Sequence, residues 1–138
     1  MLELNILVIV SNLIDMSKFL VIKKKISEFN KRIYVSGDKS LSIRWVLFSS
    51  IASGVSKAKN LLTSEDVMAA IQAVRKLGIK VVLKGHTCKI YGKGFNGYKF
   101  KKNLIIDSKN SGTLGRLILG ILVNCSYPIK LIGDKSLS

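Results

Sequence analysis

The sequence has one histidine, His86, and two cysteines, Cys88 and Cys125, in 138 residues. There is no CxxC and no His/Cys cluster, so a protein zinc site, a Ser-His-Asp triad and a Cys-His pair find no support. Two thiols without a pattern fit a reducing compartment. Carboxylates are also scarce: eight Asp and Glu face 23 Lys and Arg, a formal net charge of +15. That balance suits anionic partners such as nucleic acid, acidic membrane or small phosphorylated molecules. A Lys-rich solvated surface would give the same total. Arginine is rare among the cations, standing only at Arg32, Arg44, Arg75 and Arg116. Long apolar runs are missing. "LILGILV" at 117–123 is too short to span a bilayer. The apolar N-terminus is broken by Glu3, Asn5, Asn12, Asp15 and Lys18. It carries no basic n-region and no small-residue cleavage site, so no signal peptide is expected. A soluble, cytoplasmic protein is the expectation.

Apolar residues make up 48% of the chain, enough for a real core. The patterning predicts a strand at 31–35, a helix at 40–53 stopped by Gly54, and a strand at 56–62. A helix over "TSEDVMAAIQAVRKLG" follows. Thr63 or Ser64 caps it, Glu65 and Asp66 suit its positive end, and Gly78 stops it. "IKVVLK" and "TCKIYG" read as a hairpin around Lys84-Gly85-His86. The order is βαβαββ over residues 31–92. A second round begins with a strand at 103–107, a helix after Ser111-Gly112-Thr113 and a strand at 127–133. The fold class is therefore α/β (α+β), with about one and a half repeated units. The linker 92–102 holds Gly92-x-Gly94-x-x-Gly97, a dinucleotide-fingerprint spelling. The fingerprint needs a helix opening directly at the glycines. Here a strand is expected instead, so the match reads as an ordinary connection.

The chemistry concentrates at two helix starts. Arg44 lies early in an almost wholly apolar helix, and Arg116 repeats the placement. A helix apolar all round is expected to be buried, and a cation near a helix N-terminus opposes the dipole. An anion shared by the guanidinium and the free N–H groups would account for both. Pairing with an internal carboxylate such as Asp38 or Asp66 would account for them equally. Ser40 and Arg44, four apart, share a helical face. Lys39 adds a point charge, and Asn110-Ser111-Gly112-Thr113 forms a small-residue turn that lets a ligand approach the backbone.

The blocks "SGDKSLSIR", "LLTSEDVMAAIQAVRKLGIKV", "LIIDSKNSGTLGRLILGIL" and "LIGDKSLS" come in the order and spacing of the EPSP synthase family, which the chain resembles over about residues 20–138. A related enolpyruvyl transferase acting on UDP-N-acetylglucosamine would carry Lys-Asn where Lys39-Ser40 stands. The resemblance implies the enolpyruvate transferase fold, built from repeated βαβαββ units. It implies transfer of the carboxyvinyl group of phosphoenolpyruvate to shikimate 3-phosphate, with release of phosphate. No cofactor and no metal are implied. Lys39 would touch both substrates and assist proton transfer. Ser40 and Arg44 would hold shikimate 3-phosphate, and the Gly112 backbone phosphoenolpyruvate. Asn110, Thr113 and Arg116 would shape the site. Small anionic substrates are the expected partners, with neither nucleic acid nor membrane, and the full-length enzyme is expected to be a monomer. Ile43 and Leu117 depart from residues common in the family and bear on inhibitor response.

The hexapeptide "GDKSLS" occurs at 37–42 and again at 133–138. The first copy reads as a substrate-binding helix start, the second as a family block that runs on to an Arg-Pro pair. Residues 1–22 are expected to be an N-terminal extension, with Met16 as initiator, and 23–138 a partial domain, inactive by itself. The rival readings are a small basic nucleic-acid-binding protein and a non-catalytic remnant. The first would interleave aromatics with basic residues, whereas Trp45, Phe48, Phe95, Tyr98 and Phe100 divide between one helix and one linker.

Overall fold

A computed structural model of the chain describes residue 30 and residues 33–137. The expected N-terminal extension and its initiator lie outside these, as do Lys31 and Arg32 of the first expected strand. Ile33, Tyr34 and Val35 form no regular element and are exposed, with no ladder partner among the described residues. Within residues 35–138, which form one compact unit, the order is α1 (Lys39–Ile51), β1 (Ser53–Ala58), α2 (Glu65–Lys76), β2 (Lys80–Lys84), β3 (Thr87–Lys93), β4 (Leu104–Asp107), α3 (Gly112–Leu122) and β5 (Ile129–Ile132). The mixed α/β class expected from the patterning is observed.

Each helix starts as its local chemistry dictates. Asp38 caps α1, its carboxylate accepting from the Leu41 N–H at 2.6 Å. Ser111 caps α3 through the Leu114 N–H. Ser64 has the extended backbone of a cap for α2, but its hydroxyl makes no capping bond and is buried without a partner among the described residues. Acidic Glu65 and Asp66 fill the first turn of α2, and Arg75 and Lys76 the last, complementing the dipole. Gly78 then leaves the helix with φ +85, as a C-terminal glycine does.

The strand expected at 56–62 is shifted. Ala52, extended, ends α1, and Gly54 (φ +106) sits inside β1 opposite Gly92. Residues 59–62 leave the sheet through Asn60 at φ +58, which swings Leu61 into the core. There the Leu61 N–H donates to the His86 carbonyl and the His86 ring bonds the Leu61 carbonyl at 3.1 Å. The β2–β3 hairpin turns at Gly85-His86 as the sequence predicts.

Two sheets result. β1, β3 and β2 form an antiparallel sheet in that order, while β4 and β5 run parallel, joined across α3. The core lies between the first sheet and the helices. Ile43, Val46 and Leu47 of α1 meet Ile71 and Val74 of α2, Ile90 of β3, and Leu114 and Ile118 of α3. α1 is not buried all round. Leu41 and Phe48 are 64% and 60% exposed, because they share the outward side with Arg44. No helix among the described residues is long and apolar enough to cross a membrane.

The Gly92-x-Gly94-x-x-Gly97 spelling has a structural cause. A Cβ on Gly92 would collide with the carbonyl oxygens of Ser49 and Ala52, so β3 can pass the end of α1 only without one. Gly94 turns the chain at φ +78. No helix follows.

Candidate functional site

The N-terminal halves of α1 and α3 bring the two unusual arginines together. α1 packs beside α3, and Arg44 and Arg116 line one open depression of about 210 Å³ with Gly112, Thr113 and Leu117. Both arginines are exposed. Among the described residues neither has a carboxylate within ion-pairing distance, since the pairs formed are Lys39–Asp66 and Lys109–Asp107. The alternative left open by the sequence, pairing with Asp38 or Asp66, is therefore not what these arginines do. Asp38 spends its carboxylate on the cap of α1, and Asp66 binds Lys39.

The N-terminus of α3 adds donors. Ser111 satisfies Leu114 and the Gly115 N–H closes on the Ser111 carbonyl, leaving the N–H groups of Gly112 and Thr113 without an acceptor among the described residues. A Cβ at Gly112 would meet only the Leu137 side chain, at 3.7 Å, so the space before this backbone is open. Two guanidinium groups and two backbone donors thus meet at one concavity, a set of groups whose chemistry suits an anion.

Other expected site residues lie around it. Lys39 stands at the first position of α1 and reaches away to Asp66, Nζ to Oδ2 2.8 Å. Its side chain is 56% exposed and that of Asp66 10%. From sequence, Asp66 is expected to suit the α2 dipole or pair with an arginine; its observed partner is Lys39. Ser40 shares the first turn of α1 without lining the depression, and Asn110 is exposed in the loop before α3, also outside it. Ile43 is fully buried in the core, whereas Leu117 lines the depression.

On the far side of Gly112 and Arg116 a second concavity, about 380 Å³, is roofed by the second GDKSLS copy through Gly133, Ser136 and Leu137. The two copies do share turn chemistry. Asp134 accepts from the Ser136 N–H at 2.9 Å, as Asp38 accepts from Leu41, but the second turn does not continue as a helix within the described residues. Instead the Asp134 N–H donates to the Lys109 carbonyl and clamps the loop before α3. That loop is tied from within as well. Lys109, at φ +53, donates its N–H to Asp107 at 2.8 Å and closes an ion pair with it at 3.0 Å. These bonds hold the Asp107 carboxyl below its ordinary range, and the same partner raises the Lys109 ammonium. The thiols take no part: burial pushes Cys88 and Cys125 above the ordinary thiol value, against nucleophilic use.

With this geometry in place, comparison with known proteins is specific. Residues 23–138 match the family model described as EPSP synthase (3-phosphoshikimate 1-carboxyvinyltransferase). A 3-phosphoshikimate 1-carboxyvinyltransferase from Bacillus cytotoxicus is 44% identical over 108 residues, covering 78% of this chain and 25% of the relative. One from Streptococcus suis is 38% identical over 117 residues, covering 85% and 27%. The solved EPSP synthase from Acinetobacter baumannii superposes with a TM-score of 0.70 at 36% identity, covering 77% of this chain and 24% of that one. The chain thus spans about a quarter of the length of the relatives it matches.

Proposed function

The chain belongs to the EPSP synthase family, and from that premise we propose that the Arg44–Arg116 depression is part of a site for shikimate 3-phosphate and phosphoenolpyruvate. The reaction it serves moves the carboxyvinyl group of phosphoenolpyruvate to the 5-hydroxyl of shikimate 3-phosphate, with loss of phosphate, through a tetrahedral adduct. The observation that carries the reading is the meeting of Arg44, Arg116 and the N–H groups of Gly112 and Thr113, which have no acceptor and no ion-paired carboxylate among the described residues. Both substrates carry several negative charges, and an anion between two guanidinium groups and a helix N-terminus is favoured by all of them.

The roles are those the family resemblance implies, and the placement of the residues supports them. Arg44 offers a planar fork suited to a carboxylate, and Ser40 lies one turn before it toward the helix start. The Gly112 and Thr113 N–H groups, backed by Arg116, face a phosphate or carboxylate of phosphoenolpyruvate. Lys39, held by Asp66 at 2.8 Å, would exchange that carboxylate for substrate oxygen. An ammonium so shared can steady charge on the adduct and pass a proton. Asn110 shapes the loop that presents Gly112.

The test is a titration of the chain with shikimate 3-phosphate by calorimetry, and then, with shikimate 3-phosphate saturating, a titration with phosphoenolpyruvate followed by the amide signals of Gly112 and Thr113. Arg44→Ala is expected to cost about 1.5–3 kcal/mol of binding, the worth of charge-assisted hydrogen bonds. Absence of perturbation at Gly112 and Thr113 at saturating ligand would remove the reading.

A further inference from the structure

The outer face of the antiparallel sheet is a second basic surface, distinct from the arginine depression. Strand alternation fixes its composition. In β3, Cys88 and Ile90 are fully buried, so Lys89 and Tyr91 point outward. The register sets Lys57 of β1 opposite Lys89, Lys80 of β2 opposite Tyr91, and Lys84 opposite Thr87. None of the three strands contains Asp or Glu. None of these four lysines forms an ion pair among the described residues. Lys57 and Lys89 are directly opposed like charges, an arrangement that destabilises a sheet. In the middle lies Tyr91, its ring covered by the Lys80 ammonium at 5.0 Å from the centroid.

The basic-plus-aromatic pattern missing from the linear sequence is thus assembled by the register. Tyr91 belongs to neither of the aromatic groups on which the sequence reading turned.

From this juxtaposition we propose that the β1–β3–β2 face binds single-stranded nucleic acid, a property independent of the transferase reading. Lysines on all three strands would follow the phosphates while one base stacks on Tyr91, displacing the Lys80 ammonium toward the backbone. An unpaired strand fits because this sheet face presents no element to enter a groove and a duplex keeps its base faces covered. An acidic bilayer fits less well. The exposed large apolar side chain on this face is Val55, too little to insert.

The experiment measures anisotropy of a short fluorescein-labelled oligothymidylate titrated with the full chain at rising NaCl. Four neutralised phosphates give a plot of log affinity against log salt a slope of about −2.8, at about −0.7 each on a single strand. Lys57→Gln with Lys89→Gln should reduce the slope to about −1.4. Tyr91→Leu should weaken binding at least about fivefold with the slope unchanged. Lys101→Gln with Lys135→Gln, on exposed lysines off the sheet, removes the same charge and should leave the slope intact. Circular dichroism melting keeps the comparison fair, since separating Lys57 from Lys89 by charge removal should not lower the melting temperature. Four results overturn the proposal: no binding at low salt, equal loss in the two double variants, equal affinity for a duplex, or binding to phosphatidylserine vesicles without binding to the oligonucleotide.

Discussion

At the scale of single residues, the site is controlled by which cations already have a carboxylate. Lys39 and Lys109 have one each, while Arg44 and Arg116 have none among the described residues. Asp38 and Asp66, the two internal acids that sequence spacing could have assigned to the arginines, are taken by a helix cap and by a lysine. Spacing along a chain cannot show which of several cations a carboxylate meets, so this became legible only in three dimensions. The Asp107–Lys109 clasp yields a pH prediction. Asp107 titrates below its ordinary value, so its contribution is present above about pH 4 and is lost as pH falls through the lowered folded value. Lys109 is raised, so its share is complete below about pH 10 and lost as pH climbs through the raised value. The amide signals of residues 108–112 should therefore hold between these limits and move outside them. Movement centred near neutrality would mean that other groups hold the loop.

At the scale of elements, α1 and β3 depend on one residue each for how they meet and begin. Asp38→Ala removes the cap of α1 and should cost about 1 kcal/mol, while loosening the turn that presents Lys39 and Ser40. Gly92→Ala should cost about 1–3 kcal/mol, because its Cβ strikes two carbonyl oxygens at the end of α1. Denaturant melts of both variants check this, and a Gly92→Ala protein as stable as the parent would contradict the packing described. The elements that were legible in sequence were those with two agreeing signals. α2 combined an apolar face with acids first and bases last, and the β2–β3 hairpin combined alternation with Gly85. Less legible were elements resting on one signal. Gly54 looked like a helix stop but is a strand residue whose positive φ suits its place opposite Gly92. The uniform apolarity of α1 suggested complete burial, whereas its Leu41–Arg44–Phe48 side is exposed. Period alone could not show this, since all sides of that helix read alike.

At the scale of the whole molecule, the described part of the site is an open surface. Arg44 and Arg116 stand exposed over about 210 Å³, smaller than the ~300–1,000 Å³ usual for a ligand site. The proposed reaction would require two substrates held in reacting geometry and shielded from water. The chain by itself is therefore expected to release no phosphate from the substrate pair above a Lys39→Ala control, and steady turnover in that assay would show the open surface to be sufficient. The parallel β4–β5 pair has a further consequence, for the order in which the chain folds. The β2–β3 hairpin closes over a two-residue turn, a contact that forms within microseconds. β4 and β5 can pair only after α3 has formed between them and crossed over, the slower kind of closure. On that order Arg116 is expected to come alongside Arg44 late, as α3 docks on α1. Sulfate bridging the two arginines would strengthen contacts that are absent at the folding barrier. In stopped-flow experiments it should slow unfolding while leaving the refolding rate almost unchanged. The anion site would thus act as a latch on a finished fold, with no part in reaching it.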